Sequence, residues 1–248
     1  MDAKRIEELE YKYLMKYYYF LKFVENEMME GFKTKEKIKD DWIKHYASGI
    51  SDFSTGAERI VYALFNVKGI GQPNSVPVGS DLFFEVQDAY IHIDLKTVQT
   101  DNIGDYTNSI FIGENQNSYK GTILKRGGCT EQYCPNLPYI YNEGKENEKI
   151  CLSYFITILY EKQTLDILVI SIMVMPNGLL ESEYGSKVLK EGKNPGKTMF
   201  NFAQTEKFEI LGDNKKRIQV VYFNTGMKQK YKNKLSFYEA LYNDQINS

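Results

Sequence analysis

The chain has only three cysteines, Cys129, Cys134 and Cys151. An odd count excludes a fully paired disulfide framework, and the Cys129/Cys134 spacing has no second pair to complete a zinc site. Buried or free thiols in a reducing cytosol are the expectation. No Pro/Gly/Ser-rich linker interrupts the 248 residues, and a hydrophobic content of 42% is enough for one substantial core. The expected organisation is one domain over residues 1–248, with residues 1–50 forming a helical N-terminal subregion. A continuous apolar run of about eighteen residues, the length of a membrane span, is also missing. Met1-Asp2-Ala3-Lys4-Arg5 is not followed by a hydrophobic signal stretch, so a cytoplasmic protein without membrane contact is expected. Net charge is only −2. No global excess of either sign announces a nucleic acid, and any such argument must rest on local distribution.

What is present has a clear periodicity. Ile6, Leu9, Tyr13, Tyr17, Phe20, Val24 and Met28 recur at steps of three and four, the apolar stripe of one long amphipathic helix. A second helix is expected over residues 35–46, around Ile38 and Trp42. Thr55-Gly56-Ala57-Glu58 has the form of a capping box that opens a third helix through Phe65. Residues 152–160 and 165–175 read as a hairpin of two strands covered on both faces, because their apolar character is continuous. Residues 208–211 and 218–223 read as a further hairpin, residues 184–190 as a short helix, and residues 235–242 as a last helix. Helices followed by a mixed sheet and later helices indicate an α/β or α+β architecture.

The densest chemistry lies in residues 82–86 and 90–98, two runs rich in aromatic and β-branched residues separated by Gln87-Asp88. A two-residue turn there pairs Val86 with Ala89 and carries Asp81 opposite Asp94, and opposed residues of an antiparallel pair point to the same side. One side then collects Leu82, Phe84, Val86, Ile91, Ile93 and Leu95, all apolar. The other collects Asp81, Asp94 and Lys96, with His92 and Glu85. Two carboxylates a few ångströms apart repel unless a cation sits between them, so the pair points to a metal. His92 has no nucleophile to pair with and reads as a packed or hydrogen-bonded histidine.

A helix bearing Glu58, a strand beginning at Asp81 and an adjoining strand carrying Asp94-Leu95-Lys96 together resemble the PD-(D/E)XK nuclease superfamily, and within it the type II restriction endonucleases. The resemblance covers residues 55–98. By it, Asp81 matches the first motif aspartate, Asp94 the second acid, Lys96 the motif lysine, and Glu58 the accessory acid that several members place on the preceding helix. The sequence departs at the first element, where Ser80 stands before Asp81 and the nearest proline is Pro77. The resemblance implies an α/β fold with a central mixed β-sheet flanked by helices, and N-terminal helices before it. It also implies Mg²⁺-dependent, sequence-specific cleavage of double-stranded DNA by a homodimer, with Mn²⁺ as a substitute ion. Hard carboxylate oxygens of Asp81 and Asp94 suit Mg²⁺, and the backbone carbonyl of Leu95 is a further candidate ligand.

Polar segments later in the chain are candidates for DNA contact. Asn115, Gln116, Asn117 and Lys120 lie in one, Lys125 and Arg126 in a second, and Lys193, Asn194 and Lys197 in a third. Asn and Gln can bond adenine bidentately, Arg guanine, and Lys phosphate. The third segment falls short of a P-loop, because only three residues separate Gly192 from Gly196 and that motif needs four. Two other functions stay open from the residues alone. One is a structure-selective or repair nuclease of the same fold, or one acting on RNA. The other is a non-enzymatic DNA-binding protein whose acidic hairpin is a salt-bridged surface.

Overall fold

The structure, a computed structural model, describes residues 1–37, 53–68, 72–73, 80–194, 196–202, 209–210 and 215–246. Helix α1 (Ala3–Phe23) starts where Asp2 accepts a hydrogen bond from the Arg5 amide at 2.8 Å, and it buries the apolar stripe. The stripe does not make one helix. At Val24 the backbone leaves helical geometry (φ −99°, ψ 9°), and α2 (Glu25–Lys37) follows with Met28 still buried. The helix expected over residues 35–46 falls mostly outside the described residues. Helix α3 (Phe53–Lys68) begins ahead of Thr55. Thr55 therefore sits inside the helix, and the expected capping box is not its opening.

Strands β1 (Gln72–Pro73), β2 (Leu82–Glu85) and β3 (Ala89–Gln99) come next, then a short α4 (Ile103–Asn108) and β4 (Ser109–Ile112). The polar segment after β4 holds β5 (Gly121–Leu124) and β6 (Thr130–Tyr133), which form a separate ribbon, and β7 (Ile140–Tyr141). The long strands β8 (Lys149–Tyr160) and β9 (Ile167–Met175) follow, then β10 (Leu189–Glu191), β11 (Thr198–Asn201), β12 (Glu209–Ile210), β13 (Lys215–Lys216), β14 (Ile218–Phe223) and a last helix α5 (Ser236–Ile246).

A seven-stranded sheet runs in the order β1-β2-β3-β8-β9-β14, with β7 added against β8. Strands β3 and β8 are parallel from Ala89↔Ile150 to Gln99↔Tyr160, and the other pairs are antiparallel, so the sheet is mixed. Residues 208–211 and 218–223 do not form the expected hairpin. β12 pairs with β13, while β14 joins β9 and buries Val220 and Val221. Likewise, residues 184–190 are not one helix. They run from a one-turn helix, Glu181–Tyr184, through a tight turn into β10.

Two apolar layers sandwich this sheet. On one face Tyr154, Ile156 and Ile158 pack with Leu82, Phe84, Ile91 and Ile93 under α1 and α3. On the other, Phe155 and Leu159 pack with Tyr106, Ile110 and Phe200, beneath the small β10-β11-β4 sheet, and with Tyr238 of α5. The period-two division of β8 between both faces explains its unbroken burial. A buried ion pair ties the ends of the chain together: Arg217 Nη1 lies 2.6 Å from Glu10 Oε2, and Glu10 Oε1 accepts the Asn177 amide at 2.7 Å.

Candidate active site

The register of the first hairpin is Leu82↔Ile93, Phe83↔His92, Phe84↔Ile91 and Glu85↔Tyr90, and the Val86 amide bonds the Ala89 carbonyl at 3.0 Å. Gln87-Asp88 is thus a two-residue turn. Lys12 and Tyr13 of α1 hold the Asp88 carboxylate and fix the turn against the helix layer. Continuing the register by one step past β2 sets Asp81 opposite Asp94. The apolar set of the hairpin is buried in the α1/α3 core, and the ionisable set faces the opposite layer.

Asp81 is a bend residue at the end of β2, half-buried. Its Oδ2 accepts the backbone N–H of Leu95 at 2.7 Å, the ladder position that β2 leaves open when it ends. In a strand the N–H and C=O of one residue face the same neighbour. The Leu95 carbonyl is therefore turned toward the same unpaired edge. Tyr62 of α3 lies close to Asp81, and burial followed by the Asp81 carboxylate pushes the Tyr62 phenol far above its ordinary range. Glu58, one helical turn before Tyr62, is close enough to add a negative field at Tyr62 and at Asp94.

Asp94 is 3% exposed. Its Oδ1 accepts Nε2 of Gln116 at 2.6 Å. Its Oδ2 lies 2.6 Å from Nζ of Lys96, yet off the hydrogen-bonding direction, and no other donor reaches that buried atom. Burial raises the Asp94 carboxyl to about 6; Lys96 pulls it down, and Asp81 and Glu58 push it up again. Lys96 Nζ also donates to Gln116 Oε1 at 2.9 Å and lies near the rings of Phe111 and Phe155, at 5.5 and 5.8 Å from their centroids. His92 is packed, as expected: Nδ1 meets Ser80 Oγ at 2.9 Å, Nε2 meets the Tyr141 hydroxyl at 3.0 Å, and burial lowers its pKa to about 4.

Among the described residues no three His, Cys, Asp or Glu side chains gather into a ready-made cation cage. The donor set nevertheless fits a hard divalent ion. Asp81 lies close enough to act on the Asp94 carboxyl, the Leu95 main chain faces the Asp81 side, and one buried carboxylate oxygen has no well-aligned donor. Mg²⁺ binds through one or two carboxylates and keeps several waters, so a complete protein cage is not required.

A cleft of about 640 Å³ opens beside Lys96, lined also by Gln99, Phe111, Lys193, Asn194 and Lys197. Three of the residues singled out for DNA contact thus share a wall with the site. Lys193 pairs with Asp105 at 3.0 Å, and Lys197 lies over the Phe111 ring. Arg126 projects from the β5-β6 ribbon with its amide on Glu191, and Lys125 is drawn into an ion pair with Glu131 at 2.8 Å. Asn115 and Lys120 are exposed, and Asn115 accepts a bond from Asn136.

Two neighbours require correction. Asn117 is fully buried: its Nδ2 donates to the Gly113 carbonyl and the Tyr133 hydroxyl, and its Oδ1 accepts the Tyr119 amide. It holds the turn and offers nothing to a base edge. Gln116 spends both ends of its amide inside the site. Sequence reasoning also missed Tyr62, although its position four residues after Glu58 puts it on the same helix face and could have found it.

The family described as the N-terminal domain of the type II restriction enzyme MwoI matches residues 2–164, and the family described as the central domain of the same enzyme matches residues 167–223. Among solved structures, the chain is similar to the tetrameric restriction endonuclease SfiI bound to cognate DNA, with a TM-score of 0.69 and 14% identity over 92% of this chain and 88% of that one. It is similar also to the restriction endonuclease BglI bound to its DNA recognition sequence, with a TM-score of 0.66 and 15% identity over 87% of this chain and 90% of that one. At such identities the likeness establishes the fold: a mixed β-sheet with flanking helices. No curated protein sequence gives a significant match.

Proposed function

The chain belongs to the MwoI family of type II restriction enzymes, site-specific deoxyribonucleases, and on that premise we propose that it cleaves both strands of duplex DNA in a Mg²⁺-dependent reaction centred on Asp81, Asp94 and Lys96. The observation that carries this reading is the opposed pair of carboxylates at the end of the hairpin, with the Lys96 ammonium 2.6 Å from one of them.

Asp81, Asp94 and the Leu95 carbonyl would hold the ion, with Mn²⁺ as a substitute. Such an ion, when bound, neutralises charge on the scissile phosphate and lowers the pKa of a coordinated water. The protein's own groups have separate tasks. The Leu95 amide anchors the Asp81 carboxylate, with Tyr62 beside it, so it meets the substrate already oriented. Lys96 brings a fixed positive charge to the mouth of the cleft, where it can orient the attacking water or stabilise the extra negative charge of the pentavalent phosphate. Glu58 adds negative potential next to the pair and is the accessory acid of this scheme. Lys193, Asn194 and Lys197 line the cleft and would track the phosphate backbone, and the exposed Arg126, Asn115 and Lys120 would make further contacts. Two copies related by a two-fold axis would cut both strands of a short palindromic site symmetrically.

Digestion of a plasmid of known sequence with Mg²⁺ tests the proposal. Discrete fragments are the expected result, lost in Asp81→Ala and Lys96→Ala. A smear or cutting only at junctions indicates a structure-selective nuclease. If neither Mg²⁺ nor Mn²⁺ supports cutting and neither ion binds with or without DNA, the result favours a non-enzymatic DNA-binding protein.

A further inference from the structure

The geometry points to Gln116 as a positioning residue that sets Asp94 and Lys96 relative to each other. Its amide lies between a carboxylate and an ammonium with the matching end toward each. Nε2 donates to Asp94 Oδ1 at 2.6 Å, and Oε1 accepts from Lys96 Nζ at 2.9 Å and from the Gly113 amide at 2.8 Å. The orientation of the amide is forced by its partners. Flipped, it would set an NH₂ against an ammonium and a main-chain N–H, and a carbonyl oxygen against a carboxylate. The two ends of Gln116 therefore read the charges of both site residues at once. A glutamate of the same length would keep the Lys96 contact and repel Asp94.

The support behind this side chain is rigid. Gln116 ends a single turn, Glu114–Gln116, whose closing amide bonds the Gly113 carbonyl at 3.1 Å, and the buried Asn117 fastens the same carbonyl and the Tyr133 hydroxyl. Holding Asp94 Oδ1 through Gln116 leaves Oδ2 as the oxygen presented toward Lys96, and taking one of the three Lys96 protons limits where the ammonium can swing. Side chains that hold reacting groups in place are effective because a misplacement of about 1 Å costs on the order of a hundredfold in rate. With both ends of its amide engaged inside the site, Gln116 acts through Asp94 and Lys96.

The inference rests on the assignment of Asp94 and Lys96 to the active site, and Lys96→Ala is the control for that assignment. The variants are Gln116→Met, which keeps length and shape without hydrogen bonds, and Gln116→Glu, which keeps the acceptor and replaces the donor with a negative charge. Three quantities are measured on a duplex carrying the mapped site: single-turnover cleavage at saturating Mg²⁺, affinity for the same duplex without Mg²⁺, and thermal melting of the free protein. The expected result is cleavage slowed about 10- to 100-fold in Gln116→Met and at least as much in Gln116→Glu, with affinity within about twofold of the parent and melting above the assay temperature. Cleavage within about twofold of the parent in both variants overturns the inference. So does a loss of rate matched by a loss of affinity, which would make Gln116 a DNA contact. If one variant melts below the assay temperature the other decides, and if both do, Gln116 holds the fold and the inference is lost. Cleavage at the parent rate by Lys96→Ala would instead remove the site assignment itself.

Discussion

The β2-β3 hairpin and the turn of residues 113–120 meet at Asp94, yet they sort their side chains by different rules. In the hairpin, alternation decides everything: even and odd positions of β3 go to opposite layers, with Ile91, Ile93 and Leu95 in the helix-side core and His92, Asp94 and Lys96 on the other face. In the turn, three successive amides meet three different fates. Asn115 is exposed, Gln116 enters the site, and Asn117 is buried with every polar atom bonded. A strand carries a period that assigns a side to each residue, whereas an irregular backbone carries none, and its side chains go where tertiary partners take them.

This contrast can be broken by mutation. The largest effect is expected on the hairpin: Asp81→Ala and Lys96→Ala should each lower the Mg²⁺-supported cleavage rate by about a thousandfold while duplex binding persists. A smaller effect, read as stability, separates two groups of opposite sign on β3. Buried His92 has a pKa lowered from 6.5 to about 4, so stability present above pH 6.5 is lost as pH falls toward 4. Asp94 is raised from 3.8 to about 6, so its contribution is full below pH 3.8 and is lost as pH rises through 6. His92→Gln should remove the first trend, on the order of 3 kcal/mol, and expose the second, as denaturant titrations of the metal-free protein across this range would show. In the turn, Asn117→Ala should cost about 2 kcal/mol by stranding the Tyr133 hydroxyl and the Tyr119 amide, while Asn115→Ala should change melting hardly at all. Equal losses for the two would erase the distinction drawn above. The mildest change is expected at the cleft wall: Lys197→Ala should reduce the slope of log affinity against log salt by about one, without altering which site is cut.

The same contrast explains what could be read from residue order. A two-residue turn flanked by alternating apolar positions leaves one register, so the opposition of Asp81 to Asp94 was legible, as was the double burial of β8 and β9. The parallel alignment of β3 with β8 was not, because no turn joins them and no local pattern encodes a partner some sixty residues away. The third hairpin failed for a related reason. Ile218–Phe223 is a mostly buried six-residue strand whose backbone pairs along the long strand β9, whereas the two-residue β12 pairs with β13. The Thr55 capping pattern was a correct motif in the wrong place, overridden by a helix that had already begun at Phe53. At the site, residue types pointed to the acids and the lysine, but Gln116 and Asn117 looked alike with Asn115 because only burial and bonding distinguish them.

Arg217 and Glu10 meet across 207 positions of the chain, each with almost no exposure to solvent. Leaving one such charge without its partner costs about 3–5 kcal/mol, comparable with the margin by which many domains stay folded. The seating of the first helix and that of the strand after Arg217 are therefore coupled through one contact. The hairpin that bears Asp81 and Asp94 packs its apolar side under that same helix, so the clasp and the candidate site share one layer of the fold.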